Sequence, residues 1–187
     1  MKQVKVISYR DPREVIIVDT TSHSTNWSRD LSPFFIAPVD LYDRYKSQNV
    51  ENAWQFSKLY PEYANENGDP TEAYYKWAEK GWNNEYAYRY PMGKGKIPLC
   101  SIWDKQRLDY IEARKQIYVP LYVKAVVKTE AFTKLKELYE SEDQITLIDF
   151  DGYDYLMRCL SLEDVLNNPK RKMGHAFVLA MLLEGLI

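Results

Sequence analysis

The sequence predicts an α+β fold, a single mainly helical domain with a small β-sheet. Three observations carry that expectation. Several runs place apolar residues at three- and four-residue steps, the pattern of helices packed by one face. Two N-terminal runs, "VKVISYR" and "EVIIVDT", are rich in β-branched residues. "ITLIDF" (145–150) is short and almost wholly apolar, as a strand covered on both sides must be. With 187 residues there is enough chain for one core of useful size, so 1–187 reads as one domain.

The elements follow in order. The two β-rich segments are joined by Asp11-Pro12, a turn signal, and together with the polar loop behind them make up residues 1–29. An aromatic pair, Phe34-Phe35, precedes Pro38. "NVENAWQFSKLY" puts Val50, Ala53, Trp54 and Ser57 on one helical face, and Pro61 is expected to stop that helix. "NENGDP" is a loop, from which Asp69, Pro70 and Glu72 supply a cap, a first-turn proline and a capping-box partner. The helix they start, "TEAYYKWAEKGW", ends near Gly81, and residues 83–100 form a long loop. "WDKQRLDYIEARKQIYVP" is expected to be helical from Trp103, with Pro120 kinking or ending it. Thr129 caps "TEAFTKLKELYESE", "DGYDY" turns away from the strand candidate, and Ser161 with Asp164 caps a short helix stopped by Pro169. "GHAFVLAMLLEGL" closes the chain as a buried helix.

Composition narrows function. A net charge of −2 gives no electrostatic reason for general polyanion binding, although a local basic patch can still hold a phosphate. Two cysteines are too few for a disulfide framework or a cysteine zinc site, which fits a reducing cytoplasm. No run has the length of a membrane span or the apolar core of a signal peptide, so neither membrane nor export is expected, and Asn26-Trp27-Ser28 reads as an idle sequon. The unusual feature is aromatic: sixteen Tyr and five Trp, ten of them between Trp54 and Tyr90, which serve either as core or as faces for stacking on bases.

Five places have chemistry to offer. Glu51 shares a helix stripe with Gln55 and Lys58; that stripe is either a solvated surface or a carboxylate enclosed for acid–base work. Asp149, Asp151 and Asp154 cluster at a strand end in "LIDFDGYDY", as turn formers or as a site. The loop resembles the nucleophile loop of haloacid-dehalogenase phosphatases, but the 36 residues after Asp151 leave no room for the rest of that fold. "YPMGKGKIP" offers two Gly and two Lys to a phosphate without the P-loop pattern. "NNPKRKMGH" places Lys170, Arg171 and Lys172 before a helix, as a phosphate site or a solvated turn. His23 and His175 are too few for a histidine metal centre, and His175, in an apolar helix, reads as a satisfied core residue.

Taken in order, "LSPFF" (31–35), "VENAWQFSK" (50–58), "WDKQR" (103–107), "LIDFDGYD" (147–154) and "MGHAFVLAMLL" (173–183) resemble the successive blocks of the NADAR, or YbiA-like, N-glycosidase family. The resemblance covers 30–187, with an aromatic and basic insertion near 62–98. It implies a YbiA-like fold and cleavage of a ribosyl–base bond, on a nucleotide or an ADP-ribosylated base within nucleic acid, with no metal and no cofactor. By position it implies Glu51 and Asp154 as catalytic carboxylates, with Trp103, Lys58, Arg107, Ser32 and Phe34 binding substrate. There are departures: the family's His after the Glu is Asn52 here, and the Asn and Gly of its last block fall on Ala176 and Leu179. A module that binds a nucleotide or modified base without cleaving it is the other reading.

Overall fold

The computed structural model describes residues 2–11, 16–36 and 38–187. Its class is α+β, with more helix than strand. In chain order the elements are β1 (Gln3–Ser8), β2 (Ile17–Asp19), β3 (Val39–Asp40), β4 (Lys46–Ser47), α1 (Val50–Gln55), β5 (Lys58–Leu59), α2 (Glu72–Trp82), β6 (Cys100–Trp103), β7 (Gln106–Leu108), α3 (Tyr110–Ala113), α4 (Val119–Val126), α5 (Glu130–Ser141), β8 (Gln144–Asp149), α6 (Leu162–Leu166) and α7 (His175–Leu183). They fall into two compact units, one of residues 1–35 with 122–187 and the other of residues 36–121.

In the first unit β8 is the middle strand of a three-stranded sheet, flanked by β1 and β2, and both pairings are parallel. This explains the apolar run: Ile145 to Asp149 are all buried, as a central parallel strand demands. The two N-terminal strands therefore do not meet each other; each pairs with β8. Of the turn expected between them, Pro12 lies outside the described residues, as do Glu14 and Val15 of the second segment. Helix α7 is buried from His175 to Met181, so it has no polar face and packs against β1 and β8. The expected caps of α5 and α6 are present: Thr129 accepts from the Phe132 N–H, and Ser161 and Asp164 form a reciprocal capping box.

In the second unit β5, β6 and β7 form an antiparallel sheet, and Phe56, Leu59, Tyr74, Ala78, Trp82 and Ile102 make its core. Three sequence expectations change here. Helix α1 does not run to Pro61 but ends at Gln55, because the Ser57 carbonyl is taken by the Ile102 N–H and Lys58 pairs with Ser101. Lys58 is thus a strand residue. Helix α2 is capped at Thr71 rather than Asp69, since Pro70 bridges to Ala64 and the Thr71 hydroxyl donates to the Tyr63 carbonyl. Trp103 does not begin a helix: Asp104 and Lys105, with φ of 45° and 66°, turn the β6–β7 hairpin. The helix starts six residues later, at the Asp109–Glu112 capping box. A π turn at Arg114–Tyr118 precedes Pro120, which has no N–H to give to the preceding turn.

Gly81 lies inside α2, where a Cβ would fall 2.0 Å from Cδ1 of Phe56. Alanine normally improves a helix interior over glycine by about 1 kcal/mol. Pressing on a buried ring costs about 1–3 kcal/mol, so the clash wins. Gly81→Ala is expected to lower the melting temperature followed by circular dichroism.

Candidate active site on helix α1

The first turn of α1 is built by asparagines. Asn49 is the cap, its side chain accepting from the Asn52 N–H at 2.7 Å. Asn52, with no exposed surface, donates to the carbonyls of Asn84 (3.0 Å) and Tyr86 (2.8 Å) and accepts from the Tyr88 N–H (2.8 Å). Its amide pins the irregular segment 84–88 to the start of the helix. Between these two residues in sequence the chain presents Glu51.

Glu51 is 6% exposed and Gln55 8%, so the stripe is no solvated surface. Gln55 Nε2 donates to Glu51 Oε1 at 2.9 Å, and Lys58 Nζ donates to Gln55 Oε1 at 2.6 Å. The three residues form one line, carboxylate to amide to ammonium, in which the Lys58 donor fixes which way the Gln55 amide faces. Aromatic rings line it. Lys58 Nζ lies 4.7 Å from the Trp54 ring, and Trp54 packs against Tyr118 (5.3 Å) and Tyr110 (6.4 Å). Arg114, buried to 2% exposure, puts its guanidinium 4.6 Å from the Tyr110 ring. Helix α1 packs on the π turn that carries Arg114.

The hairpin register sorts the other predicted residues of this unit. Lys58 opposes Ser101, so its side chain rises on the face that also carries Trp103, two residues on. Trp103 is half-buried, its ring 4.8 Å from that of Tyr42. The Tyr42 hydroxyl and the Trp82 indole N–H are buried and have no partner among the described residues. Arg107 opposes Ile102 and so stands on the other face from Trp103; it donates to the Gly68 carbonyl and lies 3.4 Å from Asp69. Burial raises the Cys100 thiol against the opposing charge and hydrogen bond of Arg107, which leaves no ready thiolate.

In the first unit the strand-end carboxylates have different occupations. Asp149 Oδ2 lies 3.0 Å from His175 Nδ1 and accepts from the Ala176 N–H, and Oδ1 accepts from the Asp151 N–H. His175 Nε2 is 2.7 Å from the Thr20 carbonyl. Both ring nitrogens thus face oxygen atoms, one the Asp149 carboxylate and the other the Thr20 carbonyl. His175 is a satisfied interior residue, as its helix suggested. Burial pushes the Asp149 carboxyl up, but the His175 charge and the three donors outweigh it and hold it at about 2. Asp154 pairs with Lys5 at 3.1 Å and caps the following turn by accepting from the Met157 N–H. Ser32 is buried and closes the short helix Trp27–Leu31, its hydroxyl 3.4 Å from the Phe34 N–H, and Phe34 is half-buried. Asn26, of the idle sequon, caps that same short helix.

A family model described as a family of unknown function, DUF6939, matches residues 1–178. The chain belongs to this family. No curated protein matches it. In this DUF6939 member, Glu51, Gln55 and Lys58 are brought together, with Trp103 on the Lys58 face, whereas Arg107 is turned away. Asn52, Arg114, Tyr110 and Tyr118 escaped the sequence reading. Asn52 was visible only as a departure from the family pattern, since it lies on the side of α1 opposite Val50 and Trp54, where a polar residue announces no buried partner. Arg114 carried no signal, because one arginine in "EARKQ" looks like any solvated helix residue.

Proposed function

We propose that this chain hydrolyses the N-glycosidic bond between a ribosyl group and a base, with Glu51 as the carboxylate at the sugar. The observation that carries this reading is the line from buried Glu51 and Gln55 to half-buried Lys58, beside Trp54. Cleavage builds positive charge at C1′ and leaves the bond electrons on the base nitrogen, which then takes a proton. A carboxylate held out of bulk water stabilises that charge and can accept a proton from the attacking water. Trp54 and Trp103 supply faces for the base, and Lys58 supplies charge for a phosphate or sugar oxygen. The resemblance to NADAR N-glycosidases supports the same roles for Glu51, Lys58 and Trp103.

One observation favours the binding-module alternative. Asn52 stands where the NADAR pattern has His, and its side-chain amide is bonded to the 84–88 segment. A carboxamide, unlike an imidazole, neither gives nor takes a proton near neutral pH. The test is turnover: purified protein is incubated with guanine-ADP-ribosylated oligonucleotide and with free nucleosides, and released base and sugar are followed by mass spectrometry. Release is expected. Saturable binding without release across the panel would establish the binding module instead.

A further inference from the structure

We infer that the segment following α2, residues 84–99, is a binding strap for single-stranded nucleic acid. Its link to catalysis rests on the reading of Glu51 above, but the binding itself does not. Tyr86, Tyr88 and Tyr90 are 77%, 43% and 39% exposed, at alternate positions of one irregular segment. Large rings left in water at alternate positions are a poor use of core-forming residues and a good use of stacking faces, because every base offers a π surface.

The strap is not a loose loop. Its backbone is tied at Asn84, Tyr86 and Tyr88 to the buried amide of Asn52, and the Tyr88 ring rests edge-on against Phe56 at 6.2 Å. Stacking faces on a fixed backbone cost less entropy to engage than faces on a mobile one. Charge selects the occupant. The segment carries Arg89, Lys94 and Lys96 against Glu85, on a chain whose net charge is −2. Lys96 is shared with Glu62 at 2.5 Å. Gly93 and Gly95 both take positive φ, 95° and 90°, and nothing lies within 4 Å of where their Cβ atoms would be. Backbone with that much open space, between lysines, admits a phosphate. Rings for bases and an open cationic turn for phosphates, consecutive in one segment, describe a single strand better than a protein partner. The segment is tied to Asn52, the residue after Glu51 in the candidate catalytic helix.

An unmodified, fluorescein-labelled twelve-nucleotide dT strand, and its rU counterpart, would be titrated with the full chain and read by anisotropy. The acidic chain predicts weak binding, with Kd on the order of 10⁻⁶–10⁻⁴ M, that weakens as salt rises. Tyr86→Ala/Tyr88→Ala/Tyr90→Ala is expected to weaken it at least tenfold with the far-UV spectrum unchanged, and Tyr86→Ala/Tyr90→Ala, which spares the Tyr88 contact with Phe56, to weaken it severalfold with the melting temperature unchanged too. Lys94→Glu/Lys96→Glu is expected to flatten the salt dependence, and Glu51→Gln to leave binding intact. Equal affinity in the tyrosine triple variant, or no salt-dependent binding at all, overturns the inference. So does a self-association, seen by sedimentation, that the triple variant abolishes while neither protein binds the strand. Loss of turnover in Glu51→Gln with strand binding retained separates the fate of this inference from that of the hydrolase reading.

Discussion

Asp149→Ala is expected to lower the unfolding free energy by about 3–5 kcal/mol, the usual cost of breaking a buried charge pair from one side. Urea denaturation followed by far-UV circular dichroism reads it. The reason lies in what the carboxylate joins: the end of β8, the first turn of α7 through Ala176, and, through His175, the Thr20 carbonyl beyond β2. Removing it leaves a buried imidazole with one acceptor lost and two N–H groups without their partner. Gly174 shows how tight the joint is, since a Cβ there would lie 2.1 Å from Asp149 Oδ2. His175→Ala should cost a similar amount, and the double variant less than the two losses together, because the second change no longer strands a charge.

The same pair sets a pH dependence. The Asp149 carboxyl, ordinarily near 3.8, is held at about 2 in the folded chain. A group depressed in the folded state stabilises it above the unfolded value and loses that contribution as pH falls through the folded one. The difference corresponds to roughly 2 kcal/mol, present at pH 5 and removed progressively between about pH 4 and pH 2. Asp149→Asn should be less stable than the parent at pH 5, and the gap should close towards pH 2. A gap that stays constant over that range would assign the loss to packing rather than charge.

Fold class was legible because it rests on periodicity, and periodicity survives tertiary context. The apolar run 145–149 could hardly be anything but a covered strand, and the caps at Thr129 and Ser161 depend on local geometry alone. The failures share one cause. Residues 56–60 and 103–108 continue a helical spacing, but Lys58 and Leu59 pair with Ser101 and Cys100, some forty residues on, where no local pattern reveals them, and Trp103 folds back in a tight hairpin onto Gln106. The Asp104-Lys105 turn carries no glycine to announce its left-handed backbone. For the site, Glu51, Gln55 and Lys58 were legible as a stripe, and the stripe held even after Lys58 moved into a strand. That Glu51 and Gln55 are buried was not legible, because α1 packs on the π turn about sixty residues on in the sequence, with Tyr110 and Tyr118 against Trp54.

Glu51→Gln is expected to reduce turnover of a ribosyl–base substrate by about 10²–10⁴-fold, the range for removing a group that transfers a proton in the transition state. Stability should move by less than about 1 kcal/mol, since the new amide oxygen can still accept from Gln55 and the shape is kept. That combination separates a catalytic carboxylate from a structural one. A structural role predicts the reverse, a fall in melting temperature with the activity per folded molecule unchanged. Asn52→His sharpens the comparison by installing the residue that the NADAR pattern carries at the same place. If Asn52 holds the strap, the imidazole breaks its bonds to Asn84, Tyr86 and Tyr88, at a cost of about 2–4 kcal/mol for buried backbone groups left unpaired. Turnover should fall with it rather than rise. Faster turnover in Asn52→His would instead mean that an imidazole at this position can take part in proton transfer, and that anchoring the strap is not what the position requires.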